Sequence, residues 1–404
     1  MAETKRWREQ RWLIDNVIQA NGIDWDQPRS TYLALPGGAE ANADMVGIRL
    51  RIRKFADATP AFEAAARRRE ARAVEFERNG ELVSARENYF IAALHWGAAQ
   101  WPIDEINEQN LGYNKHKREC YGKYAGLADH RVEPAWIPFG DKKLPGWLHL
   151  PYGYNGERVP AIISIPGMDS FKELGVAMYG DRWLNRGIAV LALDGPGQYE
   201  SALLGIYFSV DAWKRVGTAA YDWLSARPEI DAGKIGISGN SFGSFFSTIA
   251  ASHEPRLAAV AVTATNLEPG AHTIFEEASP TFKTRFMWMS NFTDEAAFDE
   301  FRKTITWEGS AEKIKVPYLA MAGESDELCP LRYTEAMFKT MTCPRQLIVY
   351  QDCRHALGNV PSVTLGPHPA SYVANWMAAR LAGKPLTSER WYCDASGRIA
   401  KTNI

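Results

Sequence analysis

The sequence predicts an α/β fold in which a mostly parallel sheet carries helices on both faces, with a helical domain in front of it. After about residue 131, short β-branched apolar runs alternate with helical patterns, as βαβ units do. These runs are almost continuously apolar, which indicates strands buried on both faces and therefore a parallel sheet. Before residue 130 the pattern is helical, without a strong strand pattern.

Residues 1–130 are predicted to form a helical cap or lid domain. One helix begins after the Asn-Gly turn at 79–80, because apolar residues then recur at spacings of three and four. These residues are Leu82, Ala85, Tyr89, Ala93 and Trp96. Residues 60–78 predict a second helix, whose many charges we interpret as a solvated face.

Residues 131–404 are predicted to contain the sheet. The predicted strands lie at 159–165, 188–193, 234–238, 257–264, 316–322 and 345–351. The predicted helices between them lie at 171–186, 208–226, 241–253, 331–340 and 368–382. Segment 133–152 predicts an antiparallel hairpin at the edge of the sheet. Residues 266–312 are rich in Phe, Met and Trp without strand rhythm, and they predict a helical excursion over the sheet.

Composition and charge exclude several classes of partner. The chain has 46 Lys and Arg against 48 Asp and Glu, so nothing favours a polyanion such as nucleic acid. The charged N-terminus lacks the apolar core of a signal peptide, and no apolar run reaches the length of a membrane span. Five cysteines without a Cys-x-x-Cys pair favour free thiols over a zinc site. We therefore expect a cytoplasmic protein with a small-molecule substrate, no membrane association, no metal and no cofactor.

The run KIGISGNSFGS at 234–244 contains a Gly-x-Ser-x-Gly motif centred on Ser241. The motif alone recurs by chance, but here it follows a predicted buried strand and precedes an apolar helix. A nucleophilic serine is presented at this kind of strand-to-helix turn. Gly239 and Gly243 suit a strained turn in which a side chain would collide with its neighbours. The pattern therefore predicts that Ser241 is a catalytic nucleophile.

A serine hydroxyl needs a base to become nucleophilic, and the base needs an acid to orient it. The two later strands run into the loops GESDELCP and DCRHA, which place Asp326 and His355 at the carboxyl ends of strands. The resulting chain order Ser, Asp, His is the one expected for this type of sheet. We predict a Ser241–Asp326–His355 triad, with Glu324 or Glu327 as the alternative acid.

The oxyanion formed during attack on a carbonyl needs preorganised N–H donors. One is expected from the backbone of Phe242, directly after the nucleophile. The second is expected from the loop after an earlier strand, and strand 159–165 ends in PGMDS, so we choose the N–H of Met168. We interpret the similar turn at 194–198 as structural.

Several further residues are candidates for contact with substrate. Tyr89, Trp96 and Trp101 are possible walls of a pocket between the helical domain and the sheet, since ligand sites concentrate at domain interfaces. Ordinary core packing is the alternative for these aromatic residues. His95, beside Trp96, is a core or pocket residue, and His272 in the excursion is a candidate substrate contact.

Five motifs in this order, IPGMDS, LALDGPGQ, GISGNSFGS, GESDELCP and DCRHA, resemble those of an α/β-hydrolase. The helical half in front, with ARENYFIAALHWGAAQWPI, narrows the resemblance to the 2,6-dihydroxypseudooxynicotine hydrolase family. Its relatives include the fungal yellowish-green-type polyketide hydrolases and the fermentation/respiration switch protein. The resemblance covers nearly the whole chain and implies an α/β-hydrolase fold with an N-terminal helical cap.

The resemblance also implies an activity, namely hydrolysis of a carbon–carbon bond in an aromatic ketone or a β-diketone of polyketide type. Ser241 would attack the ketone and form an acyl-enzyme; alternatively, His355 would activate water directly to give a gem-diol. Some relatives are thought to use a further acid near the leaving group, a role for Glu276 or Glu277 here. Members of the family often form homodimers.

Two other functions are compatible with the same residues. A carboxylesterase would use the same triad, because both reactions begin with attack on a carbonyl. A binding or regulatory protein on a hydrolase scaffold is the third hypothesis. The intact Ser, Asp and His and the paired glycines argue against it, because a binding module does not need them.

Overall fold

The computed structural model describes residues 4–176 and 181–404. The chain begins with six α-helices: α1 (Lys5–Asn21), α2 (Arg29–Ala34), α3 (Gly38–Arg51), α4 (Ala58–Arg78), α5 (Leu82–Gln100) and α6 (Glu108–Leu127). The helices predicted at 60–78 and from residue 82 are α4 and α5. Residues 88–100 of α5 are all buried, so this helix is the core of the N-terminal helical region.

Among the described residues, ten strands form one sheet: β1 (Val132–Phe139), β2 (Lys142–His149), β3 (Val159–Ile165), β4 (Ala189–Leu193), β5 (Ile230–Asn240), β6 (Val260–Thr263), β7 (Tyr318–Gly323), β8 (Arg345–Tyr350), β9 (Glu389–Cys393) and β10 (Ile399–Asn403). Their order is β1-β2-β4-β3-β5-β6-β7-β8-β9-β10. Neighbours from β4 to β9 pair in parallel, whereas β1, β2 and β10 join antiparallel. This is the mostly parallel sheet that the apolar runs predict.

In the parts of the chain that the structure describes, eight more α-helices lie between the strands: α7 (Tyr199–Leu203), α8 (Val210–Ser225), α9 (Phe242–Ser252), α10 (Pro280–Met289), α11 (Glu295–Phe301), α12 (Leu331–Thr340), α13 (Pro361–Thr364) and α14 (Pro369–Leu381). Successive residues of β3 face opposite sides of the sheet. Ile163 belongs to the apolar cluster that includes α8 and α9, and Ile162 belongs to the cluster that includes α14. The sheet is therefore covered by helices on both faces. In the described parts of the chain, no helix is both long and apolar enough to cross a bilayer.

Two parts of the sheet domain differ from the sequence prediction. The helix predicted at 171–186 is wrong: its described residues form only short 3₁₀ turns at Lys172–Leu174 and Leu184–Arg186, and residues 177–180 lie outside the described residues. The backbone N–H of Lys172 donates instead to the Asp194 carboxylate, at 2.8 Å. Strands β9 and β10 were not predicted, because their residues are largely exposed or half-buried and show no apolar run.

A buried cluster of charges joins the helical region to the sheet beside that turn. Lys172 Nζ lies 2.9 Å from Glu173, 3.3 Å from Asp194 and 2.6 Å from Glu200, and all four side chains are buried. From α6, Lys117 Nζ lies 3.8 Å from Glu173. Burial disfavours the Lys172 ammonium, but the surrounding carboxylates outweigh burial and raise its pKa, so Lys172 stays charged.

Replacing Lys172 by Met keeps the length of the side chain and leaves three buried carboxylates without their central cation. We expect the free energy of unfolding to fall by about 3–5 kcal/mol, because an uncompensated buried charge is costly. Urea unfolding followed by circular dichroism measures this change. The control is Lys214→Met, since Lys214 pairs with Asp211 at an exposed site and its loss should cost less than about 1 kcal/mol. Equal losses in the two variants would contradict the role given to the cluster.

Candidate active site

Ser241 lies at the junction of β5 and α9 with a strained backbone. Its φ of 55° and ψ of −129° place a residue with a side chain in a region that such residues rarely adopt. Two backbone hydrogen bonds hold it there: its N–H donates to Thr263 O at 3.0 Å, and its C=O accepts from Ser244 N at 2.8 Å. The predicted strand-to-helix turn is therefore present, with the Ser241 hydroxyl at its tip.

The two motif glycines are required by close approach of the backbone. A Cβ atom on Gly239 would lie 2.1 Å from the carbonyl oxygen of Gly243. A Cβ atom on Gly243 would lie 2.5 Å from the carbonyl oxygen of Ile165, at the end of β3. Both distances are far below van der Waals contact, so the sharp turn around Ser241 forms only with glycine at both positions.

Ser241, His355 and Asp326 form one chain of hydrogen bonds. His355 Nε2 lies 2.8 Å from Ser241 Oγ, and His355 Nδ1 lies 2.9 Å and 3.1 Å from the two oxygens of Asp326. Since a carboxylate only accepts, Nδ1–H donates to it and Nε2 is left to accept from the serine hydroxyl. Asp326 Oδ1 also accepts from the N–H groups of Leu328 and Cys329, both at 2.9 Å, which fixes the carboxylate.

The alternative acids, Glu324 and Glu327, lie near these three hydrogen-bonded residues but form no hydrogen bond with the His355 ring. Glu327 accepts from the backbone N–H of His355 at 3.0 Å, and Glu324 accepts from Asp352 N at 3.3 Å. Burial disfavours the imidazolium, but the charge of Asp326, its hydrogen bond and the charge of Glu327 outweigh burial and raise the pKa of His355. The ring is thus electrostatically suited to accept a proton.

The two expected oxyanion donors belong to backbone close to Ser241. Phe242 is the first residue of α9, and the N–H groups at the start of a helix have no partner within the helix. Met168 follows Gly167, where an added Cβ would lie only 3.0 Å from the Cβ of Ser241. The loop after β3 therefore runs directly beside the serine. Both N–H groups belong to backbone next to the hydroxyl.

That loop is tied to the helical region through Arg29 of α2. Arg29 is 1% exposed and donates to Asp169 Oδ2 at 3.0 Å, and it also pairs with Asp26. Its guanidinium carbon lies 3.9 Å from the centre of the Trp101 ring and 5.0 Å from that of Trp25. Such cation–π contacts and a carboxylate on each side let a guanidinium remain charged while it is buried.

A cavity of about 390 Å³ opens at Ser241 and His355. The helical region contributes one wall through residues on and around α2: Gln27, Pro28, Thr31, Tyr32 and Leu35. Apolar side chains from the rest of the chain contribute much of the remainder: Met168, Ile274, Phe282, Leu328 and Val363. A cleft of this size, with a surface that is mainly apolar, is typical of small-molecule sites.

Three predicted substrate contacts, Tyr89, His95 and Trp96, do not line this cavity. They lie on α5 in the core of the helical region, where each bonds to a carboxylate of that region. Tyr89 donates to Glu77 at 2.6 Å, His95 to Asp44 at 3.1 Å and Trp96 to Glu70 at 2.9 Å. All three are buried, as the alternative interpretation of core packing predicts. Trp101 does not line the cavity either, and its ring lies against Arg29.

The predicted contacts His272 and Glu276 also lie away from the cavity walls. The His272 side chain is 55% exposed and 3.6 Å from Glu277. Glu276 accepts from Lys283 Nζ at 2.8 Å, in a cluster that includes Glu295 and Asp299. The structure therefore brings Ile274 and Phe282 of the excursion to the cavity, but not the carboxylates expected as an additional acid.

Comparisons with known proteins support the same fold. Residues 136–288 match the X-Pro dipeptidyl-peptidase family (S15 family), a range that includes Ser241 but not Asp326 or His355. The α/β hydrolase xenA of Xenoacremonium sinensis is 28% identical over 60% of this chain and 58% of that protein. The 2,6-dihydropseudooxynicotine hydrolase of Paenarthrobacter nicotinovorans is 27% identical over 77% of this chain and 82% of that protein.

Among solved structures, that of a 2,6-dihydroxy-pseudo-oxynicotine hydrolase superposes with a TM-score of 0.74 and 25% identity. The match covers 87% of this chain and 96% of the other. The match spans only about half the length of two fungal curated relatives, 58% of xenA and 49% of ucsC. The resemblance and the α/β-hydrolase fold predicted from the sequence are confirmed, and the homologues and structural neighbours are named hydrolases.

The positions of three carboxylates predict how each affects the pKa of the His355 ring. Asp326→Asn is expected to lower the pKa of His355, and Glu327→Gln to lower it by less, because both charges favour the imidazolium. Glu324→Gln is the matched control and should leave the pKa unchanged, because its carboxylate bonds to Tyr392 and Asp352 instead. NMR titration of the ring, assigned with His355→Gln, measures each value. A fall of the same size in all three variants would contradict the assignment.

Proposed function

We propose that this protein is a serine hydrolase that cleaves a carbon–carbon bond beside the carbonyl of an aromatic ketone or β-diketone. The observation that carries the proposal is the hydrogen-bond chain from Ser241 Oγ through His355 to Asp326, with Ser241 and His355 lining a cavity. A serine so placed is suited to attack a carbonyl carbon. The similarity to the 2,6-dihydropseudooxynicotine hydrolase supports a ketone substrate, because the resemblance to that family implies hydrolysis of a carbon–carbon bond in a ketone.

In the proposed first step Ser241 Oγ attacks the carbonyl carbon while His355 Nε2 takes the hydroxyl proton. Asp326 keeps Nδ1–H directed towards itself and stabilises the imidazolium that forms. The carbonyl oxygen becomes an oxyanion and accepts hydrogen bonds from the N–H groups of Phe242 and Met168. A backbone already strained at Ser241 needs no rearrangement to present the hydroxyl.

In the second step the tetrahedral intermediate collapses and the carbon–carbon bond breaks. The electron pair of that bond stays with the departing carbon, which takes the proton from His355. Water, activated by the neutral His355, then hydrolyses the acyl group on Ser241. Carbon leaves only when its charge is delocalised, so an electron-rich ring or a second carbonyl must adjoin the broken bond. Direct attack of water to a gem-diol is the alternative route to the same products.

The cavity supports a substrate that is mainly apolar and flat. Phe282 and Tyr32 offer aromatic rings, and Leu328 and Val363 add aliphatic surface. The volume of about 390 Å³ lies within the usual range for small organic ligands. These features favour one or two rings with a short chain over a peptide.

A carboxylesterase is the second candidate, and one observation favours it. The carboxylates Glu276 and Glu277, expected as the extra acid for a carbon leaving group, do not line the cavity. Of the described residues that line it, Asp169 alone carries a carboxylate, and Arg29 holds one of its oxygens. An ester needs no extra acid, since His355 alone can protonate a departing alkoxide.

A substrate panel separates the two candidates. We expect the wild type to cleave aryl 1,3-diketones to a carboxylic acid and a ketone, with products identified by mass spectrometry. Ser241→Ala should lower kcat by at least about 10⁴-fold, because nucleophile and base act as a unit. Ser225→Ala, at the C-terminal end of α8, is the control and should match the wild type.

Rapid turnover of aryl esters with untouched diketones would replace the first candidate by the second. Activity that survives in Ser241→Ala would remove both, since both depend on this nucleophile. A fluorophosphonate reagent provides a test that needs no substrate: it should label Ser241 in the wild type and not in His355→Gln.

A further inference from the structure

Gln198, in the turn after β4, bridges that turn to the loop after β3. Its side chain is fully buried. Its Oε1 accepts from the N–H of Gly195 at 2.8 Å, and its Nε2 donates to the carbonyl oxygens of Pro166 at 2.6 Å and Gly167 at 3.2 Å. One amide thus satisfies three backbone groups in two loops. The turn was interpreted from the sequence as structural, without a link to the site.

The bond to Gly167 O has a geometric consequence for Met168. The carbonyl of Gly167 and the N–H of Met168 belong to the same peptide group, which is planar and trans, so they point in opposite directions. A donor that holds Gly167 O on one side therefore turns the Met168 N–H to the other side. Ser241 lies close to this peptide, as an added Cβ on Gly167 would be 3.6 Å from Ser241 Oγ.

The chemistry of the three bonds requires an amide at this position. Gly195 N–H needs an acceptor, whereas the two carbonyl oxygens need two donors, and only Asn or Gln carries an acceptor and two N–H donors on one planar group. A carboxylate would face the two carbonyl oxygens with negative charge. An aliphatic side chain would leave three buried backbone groups without partners, at a cost for each.

The turn after β4 that carries Gln198 is packed tightly against its neighbours. A Cβ on Gly195 would lie 2.2 Å from the Trp213 ring, so the turn packs directly on a buried indole. The neighbouring Asp194 accepts from Lys172 N at 2.8 Å within the buried charge cluster. These contacts fix the turn that carries Gln198. The side-chain amide of Gln198 can therefore hold the Gly167–Met168 peptide of the loop after β3 in one orientation.

We propose that Gln198 is a positioning residue that orients the Gly167–Met168 peptide so that the Met168 N–H faces the developing oxyanion. The inference rests on the proposed function, since it gives Met168 a role in the reaction. Gln198 does not contact the substrate and acts only through this peptide. Its loss therefore affects the transition state more than the bound substrate.

Two variants test this role. Gln198→Met keeps the length of the side chain and removes the donor and the acceptor. We expect kcat for 4-nitrophenyl acetate, or for the diketone that the panel identifies, to fall by about 10- to 100-fold, as for a misplaced catalytic group. KM should change little. Affinity for phenylboronic acid, which forms a tetrahedral adduct with serine, should fall in parallel with kcat.

Gln198→Glu provides a readout that a packing role would not give. Its carboxylate repels the two carbonyl oxygens, but once protonated it donates to one of them as the amide does. We expect the ratio of variant to wild-type kcat to rise as the pH is lowered. Taking the ratio removes the titration of His355, which is common to both proteins. This measurement also decides the question if Gln198→Met does not fold.

Ser201→Ala, in the helix α7 that directly follows this turn, is the matched control. Ser201 Oγ donates to Asp194 O at 2.7 Å and makes no bond to the loop after β3, so kcat should stay at the wild-type level. Wild-type kcat in folded Gln198→Met, a pH-independent ratio in Gln198→Glu, or equal losses in Ser201→Ala would overturn the proposal. Wild-type protein that fluorophosphonate does not label at Ser241 would instead refute the proposed function.

Discussion

The strained backbone of Ser241 is the constraint on which the rest of the site depends. A positive φ at a residue with a side chain costs free energy, and the surrounding structure must maintain it. The end of β5, the start of α9 and the end of β3 do so by approaching so closely that Gly239 and Gly243 have no room for a side chain. The same close approach brings the loop after β3 beside the Ser241 hydroxyl. The backbone strain at Ser241 and the position of the proposed oxyanion loop therefore have the same structural cause.

The helical region shapes the site from one side without supplying the triad. Its contribution comes from α2 and the turn before it, whereas α5 forms the interior of the helical region itself. Arg29 connects that short helix to Asp169 in the loop after β3. The position of the cavity wall and the position of the proposed oxyanion loop are therefore coupled through one buried guanidinium.

What the sequence predicts well are the parts governed by local patterns. The core strands are continuous apolar runs, and residues at the ends of parallel strands meet at one edge, so Ser241, Asp326 and His355 come together as predicted. The walls of the cavity are set by tertiary packing, and α2, only six residues long, has no distinctive periodicity. The apolar stripe that includes Trp96 is compatible with a pocket wall in the sequence, because aromatic and apolar residues line pockets as well as protein cores. Gln198 could be found only when its bonds to another loop were seen.

Buried ion pairs connect the helical region with the rest of the chain, among them Arg29 with Asp169 and Lys117 with Glu173. Recombination that exchanged the helical region alone would leave both acidic residues without these cations in a water-poor interior. A replacement would have to bring a positive charge to Asp169, whereas Glu173 would still have Lys172 at 2.9 Å. The two parts of this chain are therefore electrostatically matched, and exchange of the helical region alone is expected to destabilise the loop after β3 that runs beside Ser241.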